Sequence, residues 1–67
     1  MAQKMEKYYQ YVEETEGLRG KVELAIRTGV TATMASTTPD APTLLRKFEV
    51  AVFQITGKPA PKFWDHA

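Results

Sequence analysis

The stretch Gly17–Val30, GLRGKVELAIRTGV, constrains the fold of this chain more than any other, because glycines at its start, inside it and near its end bracket a run compatible with three architectures. Read as a continuing helix, it extends the N-terminal segment into one arm of a helical hairpin. Read as a helix followed by a tight turn, it belongs to a compact multi-helix domain. Read as alternation, it is a strand in an α+β fold.

The segment before it favours helix. Residues Ala2 to about Glu16 are good helix formers, and Met5, Tyr8, Tyr9 and Val12 recur at three- and four-residue spacing, marking one apolar face. Projected onward at about 100° per residue, Leu18, Val22, Ala25 and Ile26 fall near the direction of Tyr8 and Tyr11, so a helix from Ala2 to Thr28 keeps most apolar residues on one stripe. Leu24 then lands on the charged face and Arg19 inside the stripe, where its stem can lie over apolar surface. Gly17 and Gly20 each cost about 1 kcal/mol relative to Ala in a helix interior, which predicts a bend or break there. Arg19–Glu23 and Glu23–Arg27 are helical pairs, and Gly29 reads as the C-terminal cap. The strand alternative places Val22, Leu24 and Ile26 on one side, with Thr28-Gly29 turning the chain into Val30–Ala35. Their hairpin partners are then Ala35, Thr33 and Thr31, while Val30 and Met34 face the other way, so the apolar faces do not match.

Val30 to Pro42 is small and polar and reads as connector, with Thr38 or Asp40 as a cap and Pro39 or Pro42 in the first turn of a following helix. Leu44, Leu45, Phe48, Ala51, Val52 and Ile55 then supply a full helical face before Gly57 and Pro59 stop it. Strand formers are frequent in Phe48–Thr56, which is the weakness of that assignment. The expectation is an all-α helical hairpin over residues 1–57, its first helix bent or broken at Gly17 or Gly20, followed by an extended tail over 58–67. A helix-turn-helix domain and an α+β fold are the alternatives.

A 67-residue chain is one domain at most, and a lone core of this size supplies only about 3–5 kcal/mol. With no cysteine, disulfides and thiolate metal sites are excluded, so oligomerisation is the expected remedy. The net charge of +1 comes from near-cancelling sets, without the clustered Lys and Arg of a nucleic-acid footprint. No apolar run is longer than Val50–Phe53, and the N-terminus lacks the apolar core of a signal peptide, which leads to the expectation of a cytoplasmic protein without membrane contact.

Chemistry-bearing residues are sparse. His66, the one histidine, lies beside Asp65 next to the C-terminus, and Ser36 is the one serine. A catalytic group must be held rigidly, so no catalytic residue, metal ligand, cofactor or small-molecule substrate is expected and an enzyme is not. Gly17 and Gly20 lack the Gly-Lys-Ser/Thr ending of a phosphate loop. Glu13, Glu14 and Glu16 read as a solvated face, and Tyr8, Tyr9 and Tyr11 as core or interface aromatics rather than base-stacking platforms.

Glu23–Thr31 resembles the first helix and turn of a helix-turn-helix of the Cro and lambda-repressor class, with a small Ala25 before the turn, Gly29 in it and apolar Val30 after it. Gly17-Leu18 and Pro42-Thr43-Leu44-Leu45 resemble the surrounding helices of that family. The resemblance implies that Thr31, Ala32, Thr33 and Ser36 head a recognition helix, with Arg46 or Lys47 meeting phosphates. The chain departs from that pattern in three ways. Thr31–Thr38 carries no Arg, Lys, Asn or Gln to read base edges, and its only apolar anchors are Met34 and Ala35. Third, the resemblance requires Leu24 and Ala25 to turn inward and Val22 and Ile26 to lie largely exposed, whereas a continuous helix buries those two and exposes only Leu24.

The leading expectation is therefore a self-associating protein–protein interaction module, forming a dimeric four-helix bundle or docking on another helical protein. Met5, Tyr8, Val12, Val22, Ile26, Leu44, Phe48, Val52 and Ile55 form its core and interface. Val50, Phe53 and Trp64, which one hairpin cannot bury on the same face, are the expected partner surface. The alternative is a small DNA-binding regulator using Thr31, Thr33, Ser36, Arg46 and Lys47.

Overall fold

At Gly17 the backbone adopts φ 76° and ψ −162°, a region that is essentially open to glycine alone. In the computed structural model, which describes residues 3–60, this one residue divides the first helix. The elements are α1 (Gln3–Thr28), α2 (Ala32–Thr37) and α3 (Pro42–Thr56), and α1 consists of α1a (residues 3–16) and α1b (18–28) on either side of Gly17. In a straight helix, residues 12 and 20 would stand about 12 Å apart. Here a Cβ built on Gly20 would lie 2.5 Å from Val12 Cγ1 and 2.7 Å from Glu16 Cβ, so the two halves cross closely at Gly20. Lys21 Nζ lies 3.8 Å from Glu13 Oε1 across the same bend. The fold is all-helical: no strand occurs among the described residues, which removes the α+β alternative.

The bend resets the phase of the helix. On α1b the inward line is Gly20, Leu24 and Thr28, all buried. Leu24, which a straight projection puts on the charged face, is 0% exposed, whereas Val22 and Ile26, expected in the core, are 56% and 69% exposed. Residues 22 and 26 lie two positions from the line of Leu24, about 200° around the helix, so burying one set exposes the other.

The core joins Met5, Tyr8, Tyr9 and Val12 of α1a to Leu24, Val30 and Ala35, and to Leu45, Phe48, Ala51 and Val52 of α3. Tyr8 stacks on Phe48 with ring centroids 6.0 Å apart, and Tyr9 meets the same ring edge-on at 5.7 Å. Met5, Tyr8, Val12, Phe48 and Val52 take their expected core places, while Leu44 and Ile55 pack half-buried at its margin.

The segment expected as connector contains a short helix, where the helix-turn-helix resemblance places its recognition helix. Thr31 caps α2, its hydroxyl accepting from the Met34 N–H at 3.1 Å. Ala35 then enters the core, and α2 packs on α1. The α3 start is at Pro42 after Ala41, which offers no side-chain cap, so neither Thr38 nor Asp40 has the capping role expected of it. Gly29 and Gly57 end α1 and α3 as expected, their N–H groups bonding to Ala25 and Phe53 carbonyls at 2.9 and 2.8 Å.

Candidate functional site

Once α1b turns Gly20, Leu24 and Thr28 inward, Leu18, Val22 and Ile26 necessarily share the outer side of the same helix. They are 69%, 56% and 69% exposed, an uninterrupted aliphatic line at four-residue spacing opposite a core that is complete without them. Charged groups flank the line. Glu23 pairs with Arg27 at 3.3 Å, and Arg27 Nη1 also donates to Gln54 Oε1 of α3 at 2.8 Å, fixing the helix pair on that side. Arg19 carries no ion pair among the described residues.

A second surface runs along α3. Val50 and Phe53 are 56% and 52% exposed, as the sequence predicts for residues off the buried face. Trp64, expected beside them, lies outside the described residues, as do His66 and Asp65. Between α3 and the Arg27 end of α1b lies an open groove of about 590 Å³, in which Arg27, Arg46 and Lys47 surround Pro42, Val50 and Ala51.

The residues of the DNA alternative divide between two elements. Thr31 is engaged as the α2 cap, and Thr33 and Ser36 are exposed, with the Ser36 hydroxyl donating to the Thr33 carbonyl at 2.7 Å. Arg46 and Lys47 lie on α3, a different helix from α2. The inward residues are nevertheless those the helix-turn-helix resemblance implies: Leu24 buried, Ala25 half-buried, Gly29 at φ 75° and Val30 buried. The chain matches no protein-family model, no curated protein and no solved structure with which it was compared.

Sequence reasoning passed over the residues that lock the turn. Thr28 is 5% exposed, its hydroxyl 2.7 Å from the Leu24 carbonyl and 3.2 Å from the Val30 N–H, while the Tyr9 hydroxyl donates to the Val30 carbonyl. Burial pushes the Tyr9 phenol above its ordinary value of 10.0, opposed by its hydrogen bond with Thr28. The signal for this clamp was the Thr-Gly-Val sequence itself, in which a hydroxyl sits one residue before a helix-ending glycine. Among the described residues no group of three or more acidic, His or Cys side chains gathers at a metal-binding distance, and no helix is long and apolar enough to cross a membrane.

Proposed function

We propose that this chain is a protein–protein interaction module that pairs with a second copy of itself through the outer face of α1b. The observation that carries the reading is the line Leu18, Val22 and Ile26, exposed on the side of α1b opposite the core. An antiparallel two-fold pairing centred on Val22 sets Leu18 of each copy against Ile26 of the other, so one stripe completes itself. It also brings Arg19, which has no ion pair among the described residues, within a turn of Glu23 on the other copy.

Magnitudes set the strength expected. Complete burial of such a side chain stabilises by about 1.5–3 kcal/mol, so three side chains per copy, roughly two-thirds exposed, give at most about 12 kcal/mol for six. Association costs at least about 4 kcal/mol. The remaining 8 kcal/mol or less corresponds to a dissociation constant of about 1 μM or weaker. Sedimentation velocity over about 1–500 μM, spanning that constant, tests this: wild type shifts from monomer to dimer, and Ile26→Glu stays monomeric and folded.

DNA binding is the second reading. It is supported by the inward placement of Leu24, Ala25 and Val30 around the Gly29 turn, the pattern that the helix-turn-helix resemblance implies. Anisotropy titration of a labelled random duplex at low salt decides it. Binding that weakens with salt and is lost in Arg46→Ala/Lys47→Ala would support this reading; indifference to duplex would dismiss it.

A further inference from the structure

We propose that the groove between α3 and the Arg27 end of α1b docks an acidic peptide segment of a partner protein, one that carries apolar residues among its carboxylates. The groove is independent of the Leu18–Val22–Ile26 line and lies on the α3 side of α1b. Its volume of about 590 Å³ is bounded along α3 from Pro42 to Gln54, a helical rise of about 18 Å. That length accommodates five or six extended residues at about 3.3 Å each, or about three turns of helix.

Charge and apolarity are arranged for one kind of occupant. Arg27, Arg46 and Lys47 line the groove, and among the described residues no carboxylate lines it. Arg27 is held in place from two sides, by Glu23 at 3.3 Å and by Gln54 at 2.8 Å, so its guanidinium is oriented before any ligand arrives. Arg46 and Lys47 have no ion-pair partner among the described residues, and both are exposed. Between these cations Pro42, Val50 and Ala51 form an apolar floor. A phosphate backbone satisfies the cations and leaves that floor in contact with nothing apolar. An acidic segment with Leu- or Phe-like residues satisfies both, with carboxylates on the guanidinium and ammonium groups and side chains on the floor.

The test is a fluorescence-anisotropy titration of the full chain at low salt, with a labelled dodecapeptide bearing Glu and Leu at three- and four-residue spacing. The same peptide with Gln for Glu, and a random duplex DNA, are run beside it. Saturable binding is expected for the acidic peptide, weakened about tenfold or more by Arg46→Glu/Lys47→Glu, by Val50→Asp and by the Gln peptide. Ile26→Glu, which acts on the self-association face, leaves peptide binding unchanged, so failure of the pairing reading and failure of this one are separable. Circular dichroism confirms that each variant is folded. The proposal is overturned by absence of saturable binding, by peptide binding indifferent to the charge reversal, or by duplex binding tighter than peptide binding and lost in the same double variant.

Discussion

Replacing Gly20 by Ala sets two effects of opposite sign against each other, and the bend at Gly17 decides which dominates. In an ordinary helix interior the substitution stabilises by about 1 kcal/mol, because Ala has less backbone entropy to lose on folding. Here the new methyl would sit 2.5 Å from Val12 Cγ1, 2.7 Å from Glu16 Cβ and 3.2 Å from the Val12 carbonyl oxygen. Carbon atoms rest about 3.5–4.0 Å apart, so the neighbours must retreat by more than about 1 Å. Val12 has nowhere to go, being 0% exposed in the core. Overpacking of this kind costs about 1–3 kcal/mol, and two crowded neighbours place it at the upper end, for a net destabilisation of about 1–2 kcal/mol. Urea unfolding followed by far-UV circular dichroism measures it, with Val12→Ala and the double variant completing a cycle. Removing the Val12 methyls relieves the closest of these contacts and leaves that with Glu16 Cβ, so the double variant is more stable than the sum of the singles by about 1 kcal/mol. A Gly20→Ala protein stabilised by about 1 kcal/mol, with no coupling to Val12, would refute the close crossing of α1a and α1b.

Other substitutions probe the same geometry. Leu24→Ala should cost about 2–5 kcal/mol, while Ile26→Ala in dilute protein stays within about 0.5 kcal/mol; equal costs in thermal or urea unfolding would contradict the inward line of α1b. Tyr9→Phe removes the donor to the Val30 carbonyl and should destabilise by about 1 kcal/mol at neutral pH. Because burial raises the Tyr9 pKa, the unfolded chain loses the phenolic proton first, near pH 10.0, while the folded protein retains it. The Tyr9 contribution is therefore intact below that pH and declines as pH rises through the folded-state value. Unfolding free energy of the wild type should fall faster above pH 10.0 than that of Tyr9→Phe, and parallel alkaline limbs would remove Tyr9 from the clamp.

The sequence makes the helices legible and misplaces one face. Met5, Tyr8 and Val12 repeat within α1a, and Phe48 and Val52 within α3, where no residue interrupts the helical phase, so periodicity finds the core. The same periodicity carried across Gly17 assumes a constant turn per residue. A glycine at φ 76° and ψ −162° breaks that assumption, and Leu24 exchanges places with Val22 and Ile26. The glycine marked where a break was affordable, yet its dihedral angles follow from the packing of Gly20 against Val12, which local sequence does not encode. The short α2 was legible only through the helix-turn-helix resemblance, which places a helix after Thr31, and not through composition. Six residues are too few to hold a helix by propensity alone, and this one is held by the Thr31 cap and by Ala35 entering a core built by other elements. The exposure of Val50 and Phe53 was legible because α3 is uninterrupted. The cationic groove was not, since Arg27 reaches it only after α1b has turned back onto α3.

Sedimentation velocity of the wild type beside Val22→Glu measures the central claim most directly, because Val22 lies at the centre of the proposed two-fold contact and outside the core. The account predicts a wild type that sediments as a monomer when dilute and as a dimer at hundreds of micromolar, and a variant that is folded and monomeric throughout. A wild type that remains monomeric over the whole range, or a Val22→Glu protein that dimerises as the wild type does, would contradict it.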